Sequence, residues 1–118
     1  MRERIEVLET LGRGVSWKEL GINPTFGNAY LYSLEAGNEV PNFGDVIWDQ
    51  DIEEIIENCK RFGITEFTIS STFSGLTNTI AQFIELGCKL DGIVKINSRY
   101  KDYMTGEFEI VPAFKMSI

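Results

Sequence analysis

Hydroxyl side chains cluster where the first clear β-like run of the chain ends. Residues 66–80, EFTISSTFSGLTNTI, pass from alternating residues through a group of hydroxyls and one glycine into a helical pattern. Hydroxyls beside the free amides of a helix start are a common way to bind an anion. The candidate anion-binding residues at this position are Ser71, Thr72, Ser74 and Gly75.

A second polar group follows the next β-like run, KLDGIVKIN, and consists of Asn97, Ser98 and Arg99. Parallel strands of one βαβ unit end at the same edge of a sheet, where open α/β sheets bind ligands. We therefore expect both groups to converge and to suit a phosphate, sulfate or carboxylate. In the competing interpretation, one hydroxyl only caps the helix and Arg99 only pairs with Asp102. The loop matches neither the Walker pattern nor GxGxxG.

Acidic residues form a second candidate site, for a protein partner. Carboxylates recur every four residues along the helical pattern that follows residue 48, on the face opposite an isoleucine stripe. Such a ridge either is a solvated helix face or docks onto a basic surface. Two tyrosines in the polar turn SRYKDYMTG are further candidate contacts. The candidate partner-binding residues are Asp45, Asp49, Glu53, Glu54, Glu57, Tyr100 and Tyr103.

Composition argues against several classes of function. The net charge is -7, so direct binding of nucleic acid is not expected. The chain has no histidine, and no paired metal ligands or nucleophile beside a base are evident, so we name no catalytic residue, metal or cofactor. No apolar run could span a membrane, and the charged N-terminus favours a cytoplasmic location. Cys59 and Cys88 lie in apolar patterns typical of buried free thiols.

Local patterns predict the elements that position these residues. Helices are expected over 2–11, over 24–36 with Asn23 as N-cap and Gly37 as C-cap, over 49–62 and over 74–87. A short helical turn is expected near Ser16. Strands are expected over 64–71, 89–97 and 107–118, and Pro112 in the last indicates an edge strand or a bulge.

Together these elements predict an α+β fold in one domain over 1–118, of which residues 1–22 could form a loosely attached helical arm. It is a two-layer α/β sandwich. The small, mixed, three-stranded sheet contains one βαβ unit and a C-terminal hairpin strand. Because each strand has one apolar and one mostly polar face, we expect helices on one face and an open second face.

Several phrases resemble a family of uncharacterised small proteins encoded on phages and conjugative elements of Gram-positive bacteria. The phrases are NFGDVIW, GITEFTISSTFSGL, LGCKLDGIVKINSRY, DYMTGE and VPAFKMSI, and the resemblance covers roughly residues 40–118. It carries no catalytic motif and assigns no site residue. It implies a mobile-element setting, in which small acidic proteins often inhibit host defence machinery, including CRISPR nucleases.

Two functions follow as hypotheses. The first is a non-enzymatic interaction protein, for example an anti-CRISPR-type inhibitor, that binds a basic nucleic-acid-binding protein such as a CRISPR effector nuclease. The alternative is a small-ligand module that binds an anionic metabolite or nucleotide where the βαβ strands end. Both are compatible with a monomer or a homodimer.

Overall fold

The computed structural model describes residues 17–118. The predicted helix over 2–11 and the predicted cap at Ser16 lie outside these residues. Within the predicted arm, Lys18–Leu20 form one 3-10 turn, and Ile22 is buried in the main core.

Helix α1 spans Pro24–Ala36 and begins and ends where the sequence predicts. The side chain of Asn23 accepts hydrogen bonds from the amides of Thr25 (2.9 Å) and Phe26 (3.3 Å), which satisfies two free donors of the first turn. Gly37 ends the helix with φ 78°, a left-handed conformation that costs glycine little.

Helix α2 spans Ile52–Arg61 and follows a 3-10 turn over Asp49–Asp51. The predicted helix therefore starts in the tighter geometry and becomes α-helical three residues later. The predicted apolar stripe is confirmed, because Ile52, Ile55, Ile56 and Cys59 are buried in the core. Gly63, with φ 69°, follows the end of the helix.

The sheet has four strands, one more than predicted: β1 (Asn42–Phe43), β2 (Glu66–Ile69), β3 (Lys89–Lys101) and β4 (Phe108–Ser117). Their order is β1-β2-β4-β3. β1 pairs parallel with β2, and β4 pairs antiparallel with both β2 and β3. Helix α3, Leu76–Glu85, connects β2 to β3 as the predicted βαβ unit. β4 lies between the two parallel strands of that unit, so the hairpin strand is central.

Pro112 is accommodated in β4 because of where β2 ends. The register of β2 with β4 runs from Glu66–Ser117 to Ile69–Phe114, so Pro112 lies beyond the last β2 partner. It pairs only with Lys95 of β3. At this position β4 is locally an edge strand, so the N–H that proline lacks would not have bonded to a neighbouring strand.

The apolar face of the sheet packs on α3 through aromatic rings. The ring of Phe67 lies 5.1 Å from that of Phe83 in α3, and 5.6 Å from that of Phe43 in an edge-to-face arrangement. All three side chains are buried, as is Met116 in β4. These side chains form part of a larger core, and burying each of them contributes about 1.5–3 kcal/mol.

The polar face of the sheet is partly covered, although we expected it to be open. Thr68 belongs to the polar side of β2 and is only 1% exposed. Its hydroxyl donates to Oδ1 of Asn42 (2.8 Å), and the amide of Asn42 donates to Oγ of Ser33 in α1 (2.7 Å). Helix α1 thus covers this part of the face. The polar residues on this side of β2 are therefore not all in contact with solvent, because buried polar groups here form hydrogen bonds with one another. Glu107 and Glu109 are exposed, as expected.

Candidate functional site

A cleft of about 390 Å³ lies between α1 and the ends of the strands. It is lined by Ser70 and Thr72, which follow β2, and by Asn97, Ser98 and Arg99 of β3. Thr72 of the first predicted group therefore meets the second group at this cleft. Its volume falls in the range of about 300–1,000 Å³ that is usual for small-molecule sites.

Three of the candidate anion-binding residues do not line this cleft. Ser71 is 6% exposed, and its hydroxyl donates to the carbonyls of Phe43 (3.0 Å) and Asp45, which ties the loop to the end of β1. Ser74 and Gly75 precede α3 and are absent from the lining. Gly75 is the N-cap and no side chain caps the helix, so the predicted hydroxyl cap is wrong. The amides at the start of α3 are not part of the cleft.

Arg99 forms a two-point ion pair with Asp45 at the cleft. Its Nη1 lies 2.7 Å from Oδ2 and its Nη2 lies 2.9 Å from Oδ1 of that carboxylate. The alternative pairing with Asp102 is wrong, because Oδ1 of Asp102 instead accepts from the amide of Met104 (2.7 Å). The hydrogen bonds that Arg99 donates to Tyr100 and to Asp45 raise the pKa of its guanidinium. The guanidinium therefore remains charged and engaged.

Two tyrosines flank this ion pair. The guanidinium carbon of Arg99 lies 4.9 Å from the ring centroid of Tyr32 and 5.2 Å from that of Tyr100, within cation–π distance. The Tyr100 hydroxyl also accepts a hydrogen bond from Nη2 (3.1 Å). Tyr32 is 45% exposed and Tyr100 is 60% exposed. Each ring contacts the cation and still leaves surface open to a ligand.

Amide side chains fix the polar wall of the cleft. Asn42 donates from Nδ2 to Oγ of Ser70 (3.0 Å), and Asn97 donates from Nδ2 to the carbonyl of Ala36 (3.0 Å). Oγ of Ser98, which is buried, accepts from the amide of Tyr100 (3.2 Å). These bonds hold the lining groups in place before any ligand arrives.

The charges of the lining do not favour an anion. Asp45 and Glu109 are the carboxylates, Arg99 is the cation, and Asp45 already neutralises that cation. An anion would have to displace Asp45 and approach Glu109, and both steps are electrostatically unfavourable. Anion binding at this edge stays a prediction.

The structure separates the candidate partner-binding residues. Asp45 and Tyr100 lie at the cleft. Asp49 lies in the 3-10 turn before α2, is exposed, and accepts a hydrogen bond from Gln82 of α3 (2.9 Å). Glu53, Glu54 and Glu57 are all exposed on α2, and Glu54 also accepts a hydrogen bond from Nδ2 of Asn23 (3.4 Å). Tyr103 is fully exposed in the turn between β3 and β4.

Sequence reasoning did not select Tyr32 as a site residue. Trp48, which precedes α2, is 63% exposed, and its neighbour Ile47 is buried. Tyr32 follows the fully buried Tyr30 by two positions, so it belongs to the outer half of α1. That helical offset is the one signal that could have identified Tyr32 as a surface aromatic.

The part of the chain that the structure describes gives no metal site and no membrane span. Among residues 17–118, no three His, Cys, Asp or Glu side chains are grouped so that they could hold a metal ion. Over the same residues, no helix combines the length and the apolar character needed to cross a bilayer.

Comparison with known proteins gives a family match and one distant similarity. The model of a family described as a domain of unknown function, DUF7698, matches residues 25–118. A 1,2-beta-oligoglucan phosphorylase of Listeria innocua is 24% identical over 79 residues, which is 66% of this chain and 7% of that protein. The chain thus spans a small fraction of the length of this relative. No solved structure matches the chain.

Proposed function

The chain belongs to the DUF7698 family, and we propose that it is a small-ligand-binding module whose site is the cleft between α1 and the strand ends. The observation that carries this proposal is the convergence of the residues after β2 with Asn97, Ser98 and Arg99 around one cleft. Ligands of open α/β sheets bind at this kind of position.

The internal hydrogen bonds of the cleft support a binding role. Ser98 and Asn97 are held by bonds within the chain, and Arg99 is fixed by Asp45 and two rings. A site whose groups are already ordered loses less conformational entropy when a ligand binds.

Ligand-induced stabilisation tests this proposal. The full chain is screened by thermal unfolding against small polar molecules, among them nucleotides, phosphate, sugars and short 1,2-β-linked glucans. The last are included because the Listeria relative is named for such oligoglucans. A ligand at about 100 times its Kd adds about 2.7 kcal/mol of stability. Its site is then located from chemical-shift changes at Ser70, Thr72 and Ser98.

Two variants make the assignment specific. Tyr32→Ala removes a ring at the cleft, and Tyr103→Ala removes a fully exposed ring outside its lining. We expect the first to abolish the stabilisation and the second to leave it unchanged. A ligand that still stabilises Tyr32→Ala, or shifts resonances only elsewhere, would place its site outside the cleft.

The exposed carboxylates of α2 support a second candidate function, binding of a basic protein. Glu53 and Glu57 are one helical turn apart and exposed, and neither belongs to an ion pair among residues 17–118. A partner in a mobile-element setting would be a nucleic-acid-binding host defence protein, such as a CRISPR effector nuclease. Carboxylates on an exposed helix face would compete for the surface that such a protein offers to phosphates.

Charge reversal tests this second function. The chain is used as bait for the proteins of a Gram-positive host at low salt, beside the variant Glu53→Lys/Glu57→Lys. Capture of a basic protein by the parent chain alone, lost as salt rises, would support the function. Equal capture by the variant, or capture that salt does not weaken, would contradict it.

A further inference from the structure

We infer that the ligand of the cleft is an uncharged, hydroxyl-rich molecule with an apolar face, which is the chemistry of a sugar. This inference rests on the proposed function and narrows it. It replaces the anionic ligand that the sequence favours by a neutral one, for reasons of charge, ring exposure and hydrogen-bond geometry at the site.

Charge is the first reason. The cleft is lined by two carboxylates, Asp45 and Glu109, and by one guanidinium whose two nitrogens are already bonded to Asp45. Helix-end amides would help an anion, but the start of α3 is not in the lining, and the side chain of Asn23 already accepts from two amides of the first turn of α1. A phosphate would therefore meet a net negative charge at a site whose one cation is already neutralised by Asp45.

The tyrosines give the second reason. The rings of Tyr32 and Tyr100 are 45% and 60% exposed although both contact Arg99. An aromatic face open to solvent offers apolar area for the C–H face of a pyranose ring. Because Arg99 contacts both rings, it also fixes their positions relative to the ion pair.

Hydrogen-bond geometry is the third reason. The carboxylate of Asp45 is paired with Arg99 and still has unused acceptor positions, because each of its oxygens has more than one lone pair. Glu109 adds a carboxylate, while Asn28 and Thr72 add an amide and a hydroxyl. Neighbouring hydroxyls of a sugar each donate and accept one bond, so they can use such acceptors and donors together. An ionised carboxylate has no proton to donate to Asp45 or Glu109, and a phosphate anion would be repelled by both.

The test compares neutral and anionic probes on the same protein. Uncharged glucose disaccharides with β-1,2, β-1,4 and α-1,4 links are titrated beside inorganic phosphate and AMP, with amide chemical shifts as readout. We expect a disaccharide to shift Ser70, Thr72 and Arg99 at millimolar concentration, and phosphate and AMP to leave them in place. Because the ligand is uncharged, its Kd should change by less than about twofold between low and high salt.

Variants of the ion pair sharpen this comparison. Asp45→Asn keeps the size of the side chain but frees Arg99, so it should weaken the sugar at least about tenfold and create a measurable affinity for phosphate. Glu66→Gln alters a carboxylate that is outside this lining and ion-paired with Lys115, and should change neither affinity. Asp45 is exposed, so the variant is expected to fold.

The outcomes separate the two proposals. Phosphate or AMP binding at the cleft of the parent chain, without sugar binding, would overturn the neutral ligand and leave the binding module standing. No response at the cleft to any probe would overturn both. Disaccharide shifts that persist unchanged in Asp45→Asn and in Tyr32→Ala would overturn the assignment of these residues to the ligand.

Discussion

The side chain of Asn38 pairs with the backbone of Asn97 as a neighbouring strand would. Nδ2 of Asn38 donates to the carbonyl of Asn97 (2.7 Å), and the amide of Asn97 donates to Oδ1 of Asn38 (3.0 Å). Among residues 17–118, β3 is an edge strand of the sheet, so these two backbone groups have no strand partner there. One amide side chain therefore satisfies the edge of β3 beside the cleft and holds Asn97 against the end of α1.

Asn38→Ala should weaken the fold by about 1–3 kcal/mol, because it leaves a partly buried amide and carbonyl without partners. Asn97→Ala removes only the side-chain bond to Ala36 and should cost about 0.5–1.5 kcal/mol. Urea denaturation gives both values. If Asn38→Ala proves no more costly than Asn97→Ala, the edge pairing does not stabilise the fold.

Gly27→Ala should destabilise the protein although alanine is the better helix former. A Cβ at residue 27 would lie 2.5 Å from the indole of Trp17, so the ring would have to move. Overpacking of this kind costs about 1–3 kcal/mol. In a Trp17→Ala background the clash is gone, and the same change should stabilise by about 0.5–1 kcal/mol. Urea denaturation tests this prediction: Gly27→Ala should lower the free energy of unfolding in the parent chain and raise it in the Trp17→Ala variant.

Cys59 should make stability fall at alkaline pH. Burial, and secondarily the nearby Cys88 thiol, raises the pKa of Cys59 from 9.0 to about 12. Because the pKa is higher in the folded than in the unfolded chain, the contribution is complete below pH 9 and is lost as pH rises towards 12. The slope approaches about 1.4 kcal/mol per pH unit for this one thiol. In Cys59→Ala, the free energy of unfolding measured by urea denaturation should lack this alkaline decrease. The same dependence on pH in the variant and the parent chain would contradict the prediction.

The ion pair between Asp45 and Arg99 should contribute little to stability. The side chains are 64% and 31% exposed, so solvent screens the pair. A double-mutant cycle with Asp45→Asn and Arg99→Gln should give a coupling free energy of about 0.2–1 kcal/mol that falls with added salt. A coupling above about 2 kcal/mol would mean that the pair supports the fold rather than the ligand site.

Elements with local signals were predictable from sequence. Asn23, Pro24 and Gly37 mark both ends of α1, and the isoleucine stripe predicts α2. These signals act within a few residues and need no knowledge of the rest of the fold. Strand β1 has two residues, which is too short to show any alternation, so the sheet was predicted with three strands.

The candidate site was predictable in position but not in chemistry. The βαβ pattern brings the residues after β2 to Asn97, Ser98 and Arg99 through topology alone. The partner of Arg99 is 54 residues away along the chain, and no sequence period relates Asp45 to it. Whether a cation is free or neutralised is decided by such long-range contacts. The sequence therefore favoured an anion where the charges of the site favour a neutral ligand.

The central place of β4 has a consequence for how the protein is made. β2 and β3 both pair with β4, which is synthesised after them. When the nascent chain has emerged only as far as β3, the edges of β2 and β3 that will pair with β4 have no partner. The sheet can form completely only after β4 has left the ribosome. Until then the Phe67 cluster lacks Met116, and the growing chain exposes apolar surface and unpaired strand edges, which favour aggregation.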